Sequence, residues 1–148
     1  MSGLRIEYGK VAPGAVQGMY AANSYFDACG VSPLLRRHIE LRVSQINGCG
    51  YCIWAHSRQL RELGETEERL AALERWRSAS CFSDAERAAL AWAELVTKIS
   101  DGVPSDAAFA ELRRHFDDRQ IVDLTAIAAN MNALNRIAIS FRREAPAG

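Results

Sequence analysis

Apolar side chains recur along this chain at steps of three and four, the spacing of one helical face. The first such run, Pro13 to Ala28, carries Val16, Met19, Tyr20, Asn23 and Phe26, and Gly30 stops it. Ser32-Pro33 supplies an N-cap and a first helical residue for a helix over Leu34 to Ile46, broken by Asn47-Gly48. The next helix starts near Cys49 and runs through Leu63, with Gly64 as its left-handed cap. Thr66 caps a short helix bearing Leu70 and Leu73. Ser83 and Glu86 form a capping box that opens a helix from Asp84 to Ser100, closed by Gly102. Ser105 starts a short helix with Phe109, Leu112 and Phe116, and a long last helix runs from about Arg119 to Phe141. No stretch alternates apolar and polar residues for long, and β-branched residues are sparse. The pattern predicts an all-α fold of six or seven helices, with a frayed tail from Glu144 to Gly148.

Composition narrows the class. At 148 residues and 49% hydrophobic, the chain suits one domain with a real core. Eighteen basic and eighteen acidic side chains cancel, which argues against nucleic acid as a partner. The most apolar stretch, Leu124 to Ile139, is interrupted by Asn130, Asn132, Asn135 and Arg136 and falls short of a membrane span. Glu7 stands where a signal peptide would build its apolar core, so a cytoplasmic protein is expected. In that compartment an even count of four cysteines, Cys29, Cys49, Cys52 and Cys81, does not imply a disulfide scaffold.

The chemistry concentrates in Cys49-Gly-Tyr-Cys52-Ile-Trp-Ala-His56. At the start of a helix, steps of three and four align two sulfurs and an imidazole on one stripe. The free N–H groups and positive dipole of a helix start favour a thiolate, and His56 can take up the thiol proton. A thiolate with a second thiol one turn away suits peroxide reduction. One sulfur becomes a sulfenic acid, its neighbour condenses on it, and a dithiol donor resets the pair. Rival readings are a zinc site completed by His38, Cys29 or Cys81, and cysteines simply packed in a core. Haem attachment fails because Ile53 follows the second cysteine, and a thioredoxin domain would need strands.

Residues 40–56, together with Glu86-Arg-Ala-Ala-Leu-Ala-Trp-Ala-Glu94 and Asn132-Ala-Leu-Asn135-Arg136, resemble the alkylhydroperoxidase D-like group of the carboxymuconolactone decarboxylase superfamily. The resemblance spans roughly Val11 to Arg142. It implies an all-helical domain, assembly as a homo-trimer or homo-hexamer, and thiol-dependent peroxidase activity without cofactor or metal. It further implies a small hydroperoxide substrate and a dithiol reductant, whether lipoyl, thioredoxin-like or peroxiredoxin. Carried onto this chain, Cys52 is the oxidised cysteine, Cys49 resolves it, and His56 belongs to a proton relay.

Two positions depart from the founding members. Arg37 stands where they carry the relay glutamate, and Tyr51 where they have histidine between the cysteines. Glu40, one turn from Arg37, is the expected substitute, with Glu94 in its apolar surroundings as a second candidate. His38 and His115 are expected at the surface, and Cys29 and Cys81 as bystanders. Asn132, Asn135 and Arg136 are expected to be structural, with loop backbone as partner for the two amides. The remaining alternatives are a redox-sensing or metal-binding thiol module without turnover, and a lactone decarboxylase, a reaction that does not use a cysteine pair.

Overall fold

The structure, a computed structural model, describes residues 3–148. Among them are eight α-helices and no strand: α1 (Tyr8–Val11), α2 (Pro13–Ala28), α3 (Pro33–Asn47), α4 (Gly50–Glu62), α5 (Glu67–Ala72), α6 (Asp84–Thr97), α7 (Asp106–Arg113) and α8 (Asp118–Ser140). The seven helices expected from the sequence are all present. The addition is α1, a single turn whose N-cap residue Glu7 makes no side-chain cap bond, too short to show any periodicity.

Local chemistry sets most helix ends. Ser32, Thr66, Ser83 and Ser105 each accept a hydrogen bond from a backbone N–H in the first turn, as N-caps do. Asp117 does the same for α8 and forms a capping box with Gln120, so that helix begins one residue before the expected start. α6 ends at Thr97 rather than Ser100, because Lys98 leaves helical geometry and a 3₁₀ turn, Ile99–Asp101, follows. The apolar side chain that suggested continuation, Ile99, is 60% exposed.

α3 is the central helix, packed by α4, α6 and α8. One core joins Ile39 and Val43 of α3 to Ala89 and Ala93 of α6 and to Leu124, Ile127 and Ala128 of α8. A second core gathers Leu41, Leu60, Leu73, Trp76 and Leu90 around the opposite side of α3. Enclosed on several sides, α3 nevertheless buries Arg36, His38, Glu40 and Ser44. Buried polar groups cost free energy unless they find partners. Each of these side chains has at least one, although His38 is satisfied only through Nε2 and its Nδ1 has none. The N-terminal segment returns to the end of α8, where Arg5 N–H donates to the Phe141 carbonyl and the Tyr8 and Phe141 rings meet at 5.3 Å.

Candidate active site

The turn between α3 and α4 carries the cysteine pair. Gly48, at φ +71°, ends α3 in the left-handed conformation that a side chain would strain. Cys49 is the N-cap of α4, so Cys52 falls in its first turn and His56 one turn further on. Cys49 and Cys52 are joined as a disulfide, with Cα atoms 5.3 Å apart, and rest against Ala138 of α8.

Amides fix this turn from below. Asn47 Nδ2 donates to Asn132 Oδ1 at 2.9 Å and to Asn135 Oδ1 at 3.0 Å. Asn135 in turn donates to Ser44 Oγ, and Asn132 to Thr97 Oγ1 and the Ala128 carbonyl. The expectation of loop backbone as partner is therefore corrected. Facing helices have their backbone groups already paired, which leaves side chains, and the carbonyl one turn back, to satisfy a buried amide.

His56 is buried on α4, beside α3. Its Nδ1 lies 2.8 Å from Gln59 Oε1 and 3.4 Å from Glu40 Oε2. Two acceptor oxygens at Nδ1 call for the proton there, which leaves Nε2 as the basic nitrogen. Burial holds the His56 pKa below the usual histidine value and the Glu40 charge opposes this only in part, with Arg37 and Arg36 adding to the depression. Glu40 is itself gripped by arginines: Arg36 Nε donates to Oε1 at 3.0 Å and Arg37 Nη1 to Oε2 at 2.6 Å. Arg36 is also satisfied by Asp27 and Asn23 of α2. The carboxylate is thus fixed in place with one oxygen turned to the imidazole.

Cys52, His56 and Glu40 line one cavity of about 880 Å³, whereas Cys49 does not reach it. Helices α2 and α8 and the N-terminal segment close its sides. On its rim, Arg143 donates to Tyr51 Oη at 2.7 Å, Tyr8 Oη at 3.1 Å and Tyr20 Oη at 3.5 Å, and lies over the Tyr51 ring. The sequence reading missed this cluster. Its one local signal was Tyr51 between the cysteines, since Tyr8, Tyr20 and Arg143 are brought there only by the meeting of both chain ends.

Other candidates lie elsewhere. Glu94 accepts from Arg42 at 2.9 Å and Trp76 Nε1 at 3.0 Å, pairs with Arg77 at 2.6 Å, and does not line the cavity. His38, expected at the surface, is 1% exposed and bonds Glu65. The correction follows from α3 being central, since the arginine before it, Arg37, points to the cavity while His38 faces α5 and Phe82. Burial holds the His38 pKa down and its partner Glu65 stays ionised, so a neutral ring donates to a carboxylate. His115 is partly buried and sits 3.2 Å from Glu111. Cys29 and Cys81 are free thiols, and among the described residues no three His, Cys, Asp or Glu side chains are grouped to hold a metal ion. Among the described residues no helix is long and apolar enough to cross a membrane.

Fold and site together define an all-helical protein built around a cysteine pair at a helix start. Residues 15–95 match the profile of the carboxymuconolactone decarboxylase family, and the chain belongs to it. It is 35% identical over 141 residues to YdfG of Bacillus subtilis (strain 168), itself uncharacterised, covering 95% of this chain and 96% of that one. Among solved structures, a protein of unknown function from Agrobacterium tumefaciens, provisionally assigned to AhpD-type antioxidant defence, superimposes with a TM-score of 0.95. Its identity is 36%, over 99% of this chain and 100% of that one. The alkylhydroperoxidase AhpD core of an uncharacterised peroxidase-related protein from Ralstonia eutropha JMP134 gives 0.81 at 26% identity, over 93% and 74% respectively. The fold is AhpD-like.

Proposed function

We propose that this protein is a thiol-dependent peroxidase that reduces organic hydroperoxides through Cys52, Cys49, His56 and Glu40. In the reduced enzyme, His56 Nε2 takes the proton of the Cys52 thiol. The thiolate attacks the distal oxygen of ROOH, forming an S–O bond as the O–O bond breaks. The alkoxide leaves with the proton from His56, giving Cys52 sulfenic acid and ROH. The Cys49 thiol then attacks the Cys52 sulfur, forming the disulfide and releasing water. A dithiol donor, of lipoyl, thioredoxin-like or peroxiredoxin type, is oxidised as it returns both cysteines to thiols.

The observation that carries this reading is the placement of the sulfurs. Cys52 opens on the cavity beside His56, while Cys49 sits behind it within bonding distance. A substrate therefore meets Cys52 first, and the sulfenic acid it leaves meets Cys49. Glu40 holds the imidazole with its proton on Nδ1, the tautomer that leaves Nε2 free to act as base. The active form is a cytoplasmic homo-trimer or homo-hexamer, a reading supported by exposed apolar residues such as Val11, Val122 and Tyr25.

The test is peroxide consumption with a dithiol donor by the wild type and by Cys52→Ser. Turnover by the wild type and its loss in the variant are expected. Consumption at the uncatalysed rate by both overturns the proposal. A Cys49–Cys52 disulfide that forms without turnover would point instead to a redox-sensing module.

A further inference from the structure

Three cations line the cavity: Arg36, Arg37 and Arg143. Arg36 is paired with Asp27 and Glu40, and Arg37 with Glu40. The third acid of the lining, Glu7, is exposed and stands 4.0 Å from Lys10. Arg143 differs. Its guanidinium is held by the hydroxyls of Tyr8, Tyr20 and Tyr51, and among the described residues it has no carboxylate ion-pair partner. Phenol oxygens accept its hydrogen bonds without cancelling its charge. Burial holds Tyr20 above the usual tyrosine pKa despite the adjacent cation, so it stays a neutral phenol. The result is a positive charge that no carboxylate among the described residues cancels, set among phenol hydroxyls, a chemistry that recognises a carboxylate.

The location adds a direction. Tyr51, Cys52 and Arg143 line the same cavity, so the charge and the sulfur proposed to react open on one space. Part of the wall of the same cavity is apolar, formed by Leu4, Val16, Met131, Leu134 and Ala138. A volume of about 880 Å³ is far larger than hydrogen peroxide needs and lies in the range of sites for medium-sized organic ligands.

We propose that Arg143, with Tyr8, Tyr20 and Tyr51, forms an anion-binding subsite for the carboxylate of the substrate, and that the substrate class is the hydroperoxide of an apolar-chain carboxylic acid. The subsite follows from the geometry alone, while the reactive end of the ligand rests on the peroxidase reading. The carboxylate seats on Arg143 and the chain lies on the apolar wall. The hydroperoxide group is presented to Cys52. Arg143 is a specificity residue and takes no part in the O–O cleavage.

Two measurements separate this inference from the reading it rests on. In the first, linoleic acid hydroperoxide and its methyl ester are compared as substrates below the concentrations at which they form micelles. The wild type is expected to have a KM for the acid about tenfold or more below that for the ester, the effect of one charge-assisted contact. Arg143→Gln brings the ratio towards one, and Arg143→Lys, which keeps the charge, retains part of it. In the second, decanoate and methyl decanoate are titrated into the wild type and both variants by calorimetry, with helicity checked by circular dichroism. Arg143-dependent binding of decanoate without any peroxide turnover would sustain the subsite and remove the peroxidase. Turnover with equal KM for acid and ester, and no preference for decanoate, would overturn the subsite and leave the peroxidase standing.

Discussion

His56 Nδ1 stands 3.4 Å from Oε2 of Glu40, a contact that crosses from α4 to α3. It ties the imidazole next to the cysteine pair to a carboxylate that two arginines already hold still. Glu40→Gln keeps the shape and removes the charge. His56 loses the neighbour that raises its pKa, and Arg36 and Arg37 lose their shared counter-ion. Peroxide reduction should fall about 100-fold, the scale of a lost proton-transfer partner. Stability should drop by about 3 kcal/mol, as when one member of a buried ion pair is removed. Unchanged turnover and an unchanged pH profile would take Glu40 out of the relay.

Glu94→Gln is the matched contrast. Its bonds to Arg42, Trp76 and Arg77 lie outside the cavity. The variant should unfold at lower urea concentration, by about 1–3 kcal/mol, with peroxide kinetics like those of the wild type. A loss of turnover in the folded variant would place a second carboxylate in the relay.

Cys49→Ser separates the two sulfurs. With no thiol to resolve it, the sulfenic acid on Cys52 persists, and each subunit reduces one peroxide in a single burst. Labelling with a dione reagent and mass spectrometry should find the adduct on residue 52. An adduct on another residue would reassign the oxidised cysteine.

Acid should act on this protein in two stages. His38 and His56 are both held below the unfolded histidine value of about 6.5 by burial. Below that pH the unfolded chain takes up protons that the folded chain refuses. Their contribution to stability is therefore complete above about 6.5 and is lost as the pH falls through the folded values. Glu65, Glu86 and Glu94 are lowered carboxylates held ionised by their partners, so their contribution is lost further down, below about 4.5. Urea midpoints should decline from about pH 6.5 and more steeply below about 4.5. A midpoint flat from pH 7.5 to 5 would contradict buried neutral imidazoles.

Asn47→Ala tests the platform under the cysteine turn. It removes both bonds to Asn132 and Asn135, leaving Asn135 Oδ1 without its donor and Asn132 Oδ1 with Arg136 alone. A loss of about 2–3 kcal/mol in urea unfolding is expected. Slower closure of the Cys49–Cys52 disulfide should accompany it, because the end of α3 no longer holds the first turn of α4. A variant as stable as the wild type would show that the three amides are not a clamp.

Much of the helical framework could be read from local chemistry. Ser32, Thr66, Ser83 and Ser105 cap because their hydroxyls reach N–H groups in the next turn, an interaction contained within four residues. The same locality made the Cys49, Cys52 and His56 stripe legible, since one helix fixes all three positions. The end of α6 was misplaced because Ile99 continues the apolar pattern, yet its side chain is left largely exposed. His38 was misplaced because a polar side chain after an arginine gives no sign that its helix lies in the centre of the fold.

The sequence by itself determined an all-helical chain with a dithiol and an imidazole in line at one helix start, because capping, periodicity and i to i+4 spacing act over a single turn or two. Tertiary packing alone decided which carboxylate faces that imidazole, bringing Glu40 of α3 to His56 of α4 and committing Glu94 to Trp76 and two arginines. It also decided that Tyr8, Tyr20, Tyr51 and Arg143 surround one cavity. Such meetings depend on how whole helices pack against one another, and no short stretch of the chain encodes them.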